Sequence, residues 1–587
     1  MASWCTVIAT VLFVCFSEQY CSVSQDSPPW LDKRNTTVIG RPCPQEKECT
    51  CFSRSRAIHG TRVDCADRNL TAIPKHLPND TSYLDLSNNT LAELGKFPFV
   101  IYPKIQILNM SGNSKIKFIG TNTFGKLENL THLDLQNCGF SDVEAKAFEC
   151  LPSLTYLDMS NNPYLTFRNL RNISYGLQYT RIKILKLNSI HPIFGPCNTI
   201  TKNDIEYLHN TSITHIYLDF NKIATLDVEA VDYLPRSVET LSVKHNIFMI
   251  DIYMFYMHQN FPFPKLRKLI ISDQGRFHSN EYYSWVQSTL SKSISSELSV
   301  HTDNESSSKT NLQESPHVEY KRAEDNGPTT LDFVLSETIT YIDVSNSNLQ
   351  LELGNIALAT PNNLTYLLLN KNILWRLNGT FIGFDNLTFL DLSWNYCESI
   401  SKTVLQNMRK LRHLNLSTNF LDYSLEKDVN GETFQSQTQL KTLDLTNNKI
   451  RKLPPGIFDS LIHLQVLNLS QNILIELHVR LDHMNKLKFL SLQKNLLETI
   501  PKSHRDTFDR LLQSTNLTLN IEHNRFKCSC NATHQEFLDW MIHTPVYFGN
   551  LSHISCFFDN GSTVTFSSRE KLSQVYEALK KDCRSYL

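Results

Sequence analysis

Residues 440–450 read LKTLDLTNNKI, and the phrase returns as LTYLDMSNN at 154–162, LTFLDLSWN at 387–395, LRHLNLSTN at 411–419 and LQVLNLSQN at 464–472. In each, an asparagine stands at the same distance after the leucine that opens the phrase. Aligned on L-x-x-L-x-L-x-x-N-x-L, units open at Thr81, Ile105, Leu130, Leu154, Ile182, Ile213, Val238 and Leu266, then at Ile339, Leu364, Leu387, Leu411, Leu440, Leu464, Leu487 and Asn516. Successive openings are commonly about 24 residues apart, within the window of roughly 20–29 that marks a leucine-rich repeat.

The pattern has a physical reading. Leu443 and Leu445 alternate inward on a short strand while Asp444 between them points out. One such coil cannot bury its apolar side alone, so successive coils stack with their strands parallel. Beyond the strand the chain turns sharply and leaves backbone groups without a ladder partner. An inward asparagine, with two donors and an acceptor, satisfies them. The expected fold is therefore an α/β leucine-rich-repeat solenoid, a horseshoe with parallel concave strands. An asparagine ladder is expected through Asn372, Asn395, Asn419, Asn448, Asn472 and Asn495, structural and not catalytic.

Compartment is read from the ends and the sequons. Trp4 to Phe16 is an apolar run followed by small residues, the form of a secretory signal over residues 1–24. Its n-region carries no Lys or Arg, and a short hydrophobic anchor is the competing reading. Asn-x-Ser/Thr sequons, among them Asn88, Asn109, Asn129, Asn363, Asn386, Asn415 and Asn468, permit glycosylation. A formal net charge of −1 argues against a global basic field for nucleic acid. No stretch after the leader has the ~20 apolar residues of a membrane span.

Cysteines gather at both ends of the repeats. Cys43, Cys49, Cys51 and Cys65 precede them; Cys528, Cys530, Cys556 and Cys583 follow. Disulfide caps suit a secreted solenoid that exposes its core at each end, and zinc is the competing use of clustered cysteines. Connectivity stays open on spacing alone. Cys138 falls on the ladder position and reads as a buried thiol; Cys150–Cys197 is a conceivable bridge, and Cys397 is left over.

The stretch NRFKCSCNATHQEFLDWMIHT, Asn524 to Thr544, resembles the C-terminal cap of Toll-like receptor ectodomains: Asn-x-Phe-x-Cys-x-Cys, a helix carrying Phe-Leu-x-Trp, then two more cysteines. Phe537, Trp540 and Met541 are spaced for one buried helix face. Cys43 to Cys65 resembles the family's N-terminal cap, so the likeness covers roughly residues 40–587. It implies pairings Cys528–Cys556 and Cys530–Cys583. It also implies an extracellular receptor of innate immunity that binds a microbial molecule or a protein partner and forms homodimers or heterodimers. Such receptors continue into a membrane helix and a signalling domain, whereas this chain stops at KKDCRSYL. A receptor fragment and a naturally secreted adhesion, matrix or decoy protein are both carried as expectations. The compartment is accordingly extracellular or secretory, or a cell-surface or endosomal membrane if a transmembrane helix follows.

The expected organisation is a signal at 1–24, an N-terminal cap at 25–80, repeats at 81–274, an insertion at 275–335, repeats at 336–523 and a C-terminal cap at 524–587. Residues 299–328 have the composition of a disordered loop, with Lys321-Arg322 as a dibasic site, and residues 280–298 suit a short helix or a worn repeat. An idle insertion is the plainer reading, and cleavage during maturation, as in similar receptors, is the sharper one.

Ligands of horseshoes meet the concave face or its edges. The outward strand position carries sequon asparagines at Asn109, Asn415 and Asn468, where glycans would obstruct docking. The centre instead brings Lys186, Tyr217, Phe220, Lys244 and His245 together, residue types that carry hot spots or stack on bases. This central face is the candidate ligand site, against the alternative of solvated surface. A nucleic-acid ligand is left open. No H-E-x-x-H, P-loop or G-x-S-x-G motif is present, so no enzyme, metal or cofactor is expected.

Overall fold

A computed structural model describes residues 40–584 apart from 53–59, 193–197, 228–229, 231, 248–262, 276–329, 334 and 360. The chain winds as a stack of coils around one 19-stranded sheet. Arg41–Pro42 and Thr50–Phe52 open the sheet antiparallel, and Thr61–Asp64 turns it parallel by pairing with Thr81–Asp85. Every later strand joins its predecessor in parallel, through Thr442–Asp444 and Val466–Asn468 to Thr518–Asn520. All sixteen aligned openings lead into one of these strands. Thr61–Asp64, one coil earlier, had no leucine phrase to announce it.

The alternation comes out as the side-chain period requires. Leu440, Leu443 and Leu445 are fully buried while Asp444 is partly exposed. Each buried leucine contributes roughly 1.5–3 kcal/mol relative to an exposed one. A second stacked row comes from phenylalanines one repeat apart: Phe99, Phe124 and Phe148 are buried, with successive ring centroids 6.4 and 6.1 Å apart. Outer segments are mostly turns with short helices such as Leu170–Leu177 and Asp422–Lys427.

The asparagine ladder forms. Asn448 Nδ2 donates to Leu416 O at 2.9 Å in the preceding coil and to Leu445 O at 3.2 Å in its own. Asn472 Oδ1 reaches back to accept from the N–H groups of Asn448 and Ile450. Asn372, Asn395, Asn419 and Asn495 repeat the bond to the previous coil. The ladder is also longer than the six expected rungs: Asn89, Asn113, Asn162, Asn221, Asn246 and Asn524 do the same. Gln274, Ser347 and the thiol of Cys138 stand in at three further coils.

A second regularity is a left-handed residue just before each ladder rung. Asn161, Phe220, His245, Asp273, Lys371, Trp394, Gln471 and Lys494 all have φ between 50 and 61°. Each sends its N–H to a carbonyl of the next coil, as Phe220 does to Lys244 and Trp394 to Ser417, both at 2.9 Å. The turn therefore continues the inter-coil bonding one step past the strand.

Both ends are closed by disulfides. Cys43–Cys51 and Cys49–Cys65 close the first cap, and Cys528–Cys556 and Cys530–Cys583 close the last, the latter pair as the resemblance implied. In the cap helix Ala532–His543, Phe537, Leu538 and Met541 are buried. Trp540 is half-buried instead, because its Nε1 donates to Asp509 Oδ2 at 2.8 Å near the helix surface. Cys150 is a free, partly buried thiol; its suggested partner Cys197 lies outside the described residues. Cys138 and Cys397 are free and buried.

The main sheet crosses the insertion without a break, Lys268–Ile270 pairing in register with Tyr341–Asp343. Thr330–Phe333, within the span assigned to the insertion, is a strand parallel to Asn355–Leu358. The expected signal over 1–24, the loop at 299–328, the helix at 280–298 and the dibasic Lys321-Arg322 lie outside the described residues. Among the described residues no helix is long and apolar enough to cross a membrane.

Candidate functional site

The five central residues separate into two pairs and a link. Lys186 ends the strand Ile184–Lys186 and lies in register between Asp158 and Tyr217. Its ammonium sits 5.3 Å from the Tyr156 ring centroid and 5.5 Å from that of Tyr217. Cation–π attraction of this kind contributes about 0.5–2 kcal/mol. Phe220 and His245 form the second pair, stacked at 4.1 Å with 14° between ring planes. They lie past the strand ends, on the left-handed row. Lys244 links the pairs: its N–H donates to Asp219 Oδ1 at 2.8 Å, where the Ser242 hydroxyl also donates at 2.6 Å. Burial pushes the Asp219 carboxyl above its ordinary range, and these hydrogen bonds and the Lys244 charge pull the other way.

The outward strand position is more crowded than its alternation suggests. Asp134, Asp158, Ser242, Asp343 and Ser491 are buried there, Asp158 to 3% exposure. Strands in a ladder stand only about 4.8 Å apart, so neighbouring side chains cover one another. The Asp and Asn side chains also curl back to accept the N–H two residues on: Asp134 from Gln136, Asp158 from Ser160, Asp391 from Ser393, Asp444 from Thr446. Asn109, Asn415 and Asn468 make the same turn. Nδ2 of Asn415 and of Asn468, the atoms a glycan would use, donate to Asp391 and Asp444 at 3.3 Å. Burial, reinforced by Asp158 alongside, pushes the Asp134 carboxyl up to about 7. Burial raises Asp158, Asp391 and Asp444 as well.

Part of the exposed aromatic surface lies on the edge row, beside the ladder asparagines. Phe220 is 53% exposed and Trp394 58%, although a left-handed backbone costs a bulky residue roughly 1–2 kcal/mol. From Phe220–His245 the row continues to Asp273, whose carboxylate lies 3.6 Å from His245 Nε2 and accepts from Asn346 Nδ2 at 2.9 Å. Further along, Tyr396 follows Asn395 and is 55% exposed. Its ring lies 6.2 Å from that of Phe420, and Lys449 Nζ stands 4.2 Å over Phe420. Reading only the outward strand position missed Trp394, Tyr396 and Phe420. The signal available was the residue on either side of each ladder asparagine: Phe220-Asn221, Trp394-Asn395-Tyr396, Asn419-Phe420. The left-handed backbone is shared by the residue before each rung, so what sets Phe220 and Trp394 apart is the exposed ring.

Among the described residues, one group of His, Cys, Asp or Glu side chains is close enough to hold a metal ion: Glu522, His523 and His553, where the repeats meet the C-terminal cap.

Comparison with known proteins agrees with the architecture. The leucine rich repeat family matches residues 79–140, 103–164, 362–421 and 438–497, and the leucine rich repeat N-terminal domain matches 42–78. Toll-like receptor 4 of Pinctada imbricata is 27% identical over 509 residues, covering 82% of this chain and 55% of its own length. Podocan of Mus musculus is 24% identical over 78% of this chain and 62% of its own. The chain thus spans less than two thirds of either relative. The structure of the Toll–Spatzle complex from Drosophila has the same fold, with a TM-score of 0.50 at 16% identity over 77% of this chain and 58% of that one.

Proposed function

We propose that this chain, a leucine-rich-repeat solenoid similar to Toll-like receptor ectodomains, recognises an extracellular partner in innate immunity through the edge row running from Phe220 to Lys449. The partner is a microbial molecule or a secreted protein, and engagement brings two ectodomains together. The observation that carries this reading is the exposure of Phe220, Trp394 and Tyr396, two of them at left-handed positions. Aromatic anchors with flanking cations are the side chains from which interface hot spots are built. The strand face contributes Lys186 and Tyr217, tied into a cation–π stack, as the inner wall of the same region.

The reading is tested with the purified chain against microbial glycans, nucleic acids and secreted proteins, by surface plasmon resonance and sedimentation. A saturable partner is expected, with self-association rising when it is present. Phe220→Ala with His245→Ala, and Trp394→Ala with Tyr396→Ala, should each weaken the complex about tenfold or more. Undiminished binding in both double variants would place recognition on another face.

A further inference from the structure

We propose that Glu522, His523 and His553 form a binding site for a borderline transition-metal dication, with Zn2+ as the reference ion, bridging the last coil to the C-terminal cap. One ligand atom from each residue lies within 4.8 Å of the others. Glu522 and His523 lie just past the final ladder strand, Thr518–Asn520, after Ile521, whereas His553 closes the cap's short turn Leu551–His553. The fold alone brings them together, which is why no metal spacing is visible in the chain.

The site is built from a fixed carboxylate and two adjustable rings. Glu522 is 8% exposed, its Oε1 accepting the Asn550 N–H at 2.6 Å and its Oε2 accepting Gln493 Nε2 at 2.9 Å. Gly549, at φ 89°, admits it: a Cβ there would stand 2.3 Å from Oε1. Such outer partners orient a metal ligand, and a carboxylate with about four acceptor sites keeps room for an ion. His553 Nδ1 is already 3.4 Å from Glu522 Oε2. The two imidazoles stack at 4.9 Å and 21°, and the backbone N–H of His523 donates to the His553 carbonyl at 2.9 Å.

Two imidazole nitrogens and one carboxylate oxygen suit Zn2+ and leave one position for water or a donor from a partner. Bonds of about 2.0–2.2 Å put tetrahedral ligand atoms roughly 3.3 Å apart, so both exposed rings must turn inward while Glu522 stays. Lys494, whose N–H donates to the Glu522 carbonyl, is the cation one coil away that opposes the ion.

The test uses the full, untagged chain, stripped with chelator and titrated calorimetrically with Zn2+ at neutral pH. One saturable site with a Kd of about 10 µM or tighter is expected. His523→Ala and His553→Ala should each weaken it at least about tenfold, and Zn2+ should raise the Tm of the parent chain more than that of either variant. Far-UV circular dichroism checks their folding, with the His→Gln pair as replacements if either alanine variant misfolds. Absence of a saturable site, or binding unchanged in both variants, overturns the assignment.

Discussion

Phe220 stacks on His245 at 4.1 Å although each belongs to a different coil and each holds a left-handed backbone. The stack joins two residues through their position in the repeat, not through the chain between them. Phe220→Gly separates ring from backbone. Glycine takes φ of 60° freely but costs about 0.5–1 kcal/mol in chain entropy, against roughly 1–2 kcal/mol of relieved strain. Stability by denaturant titration should therefore stay within about 1 kcal/mol of the parent, while partner binding falls as it does for Phe220→Ala. A large loss of stability would mean the ring supports the coil itself.

Asn448→Ala removes the donor to Leu416 and Leu445. Both carbonyls belong to fully buried leucines and lose this donor, so a loss of roughly 1–3 kcal/mol is expected in a urea titration. Serine, which stands in at position 347, should recover part of it.

Asp134 carries the pH dependence. Its carboxyl is pushed up to about 7 in the fold against an ordinary value of 3.8, so the folded state holds the proton more tightly than the unfolded one. Its contribution is intact below about pH 4 and is lost as pH rises towards 7. Asp134→Asn keeps the turn acceptor for Gln136 and removes the charge. The variant should melt roughly 1–3 °C higher than the parent at pH 8 and no differently at pH 4. Equal melting of the two at pH 8 would show that Asp134 is solvated.

Cys530→Ser with Cys583→Ser unpins the helix Arg569–Arg584 from the start of the cap helix. A loss of about 2–5 kcal/mol is expected. Limited proteolysis should cut the cap first and leave the repeats, because each coil depends only on its neighbours.

The strands, the ladder and the C-terminal pairing were legible because each is a periodic or motif-bound consequence of local chemistry. Leu443 and Asn448 announce their roles by position alone. The placement of Trp394 was not legible in the same way. Exposure on the edge depends on the left-handed turn before Asn395, and nothing in a strand-alternation pattern encodes φ. The crowding of Asp158 was likewise hidden, since it arises from Lys186 and Asp134 in adjacent coils. Of the central five, the residues were found but their division into a strand pair and an edge pair needed the turn geometry.

The pairing of Lys268–Ile270 with Tyr341–Asp343 keeps full register across a long detour of the chain. Peptide connectivity and mechanical connectivity part company there. A break in the backbone between Ile270 and Tyr341 would leave two polypeptides that still share the sheet hydrogen bonds of that pairing and the bond from Ser347 to Ile271. Such a nicked molecule would run as one species in native sedimentation and as two in detergent.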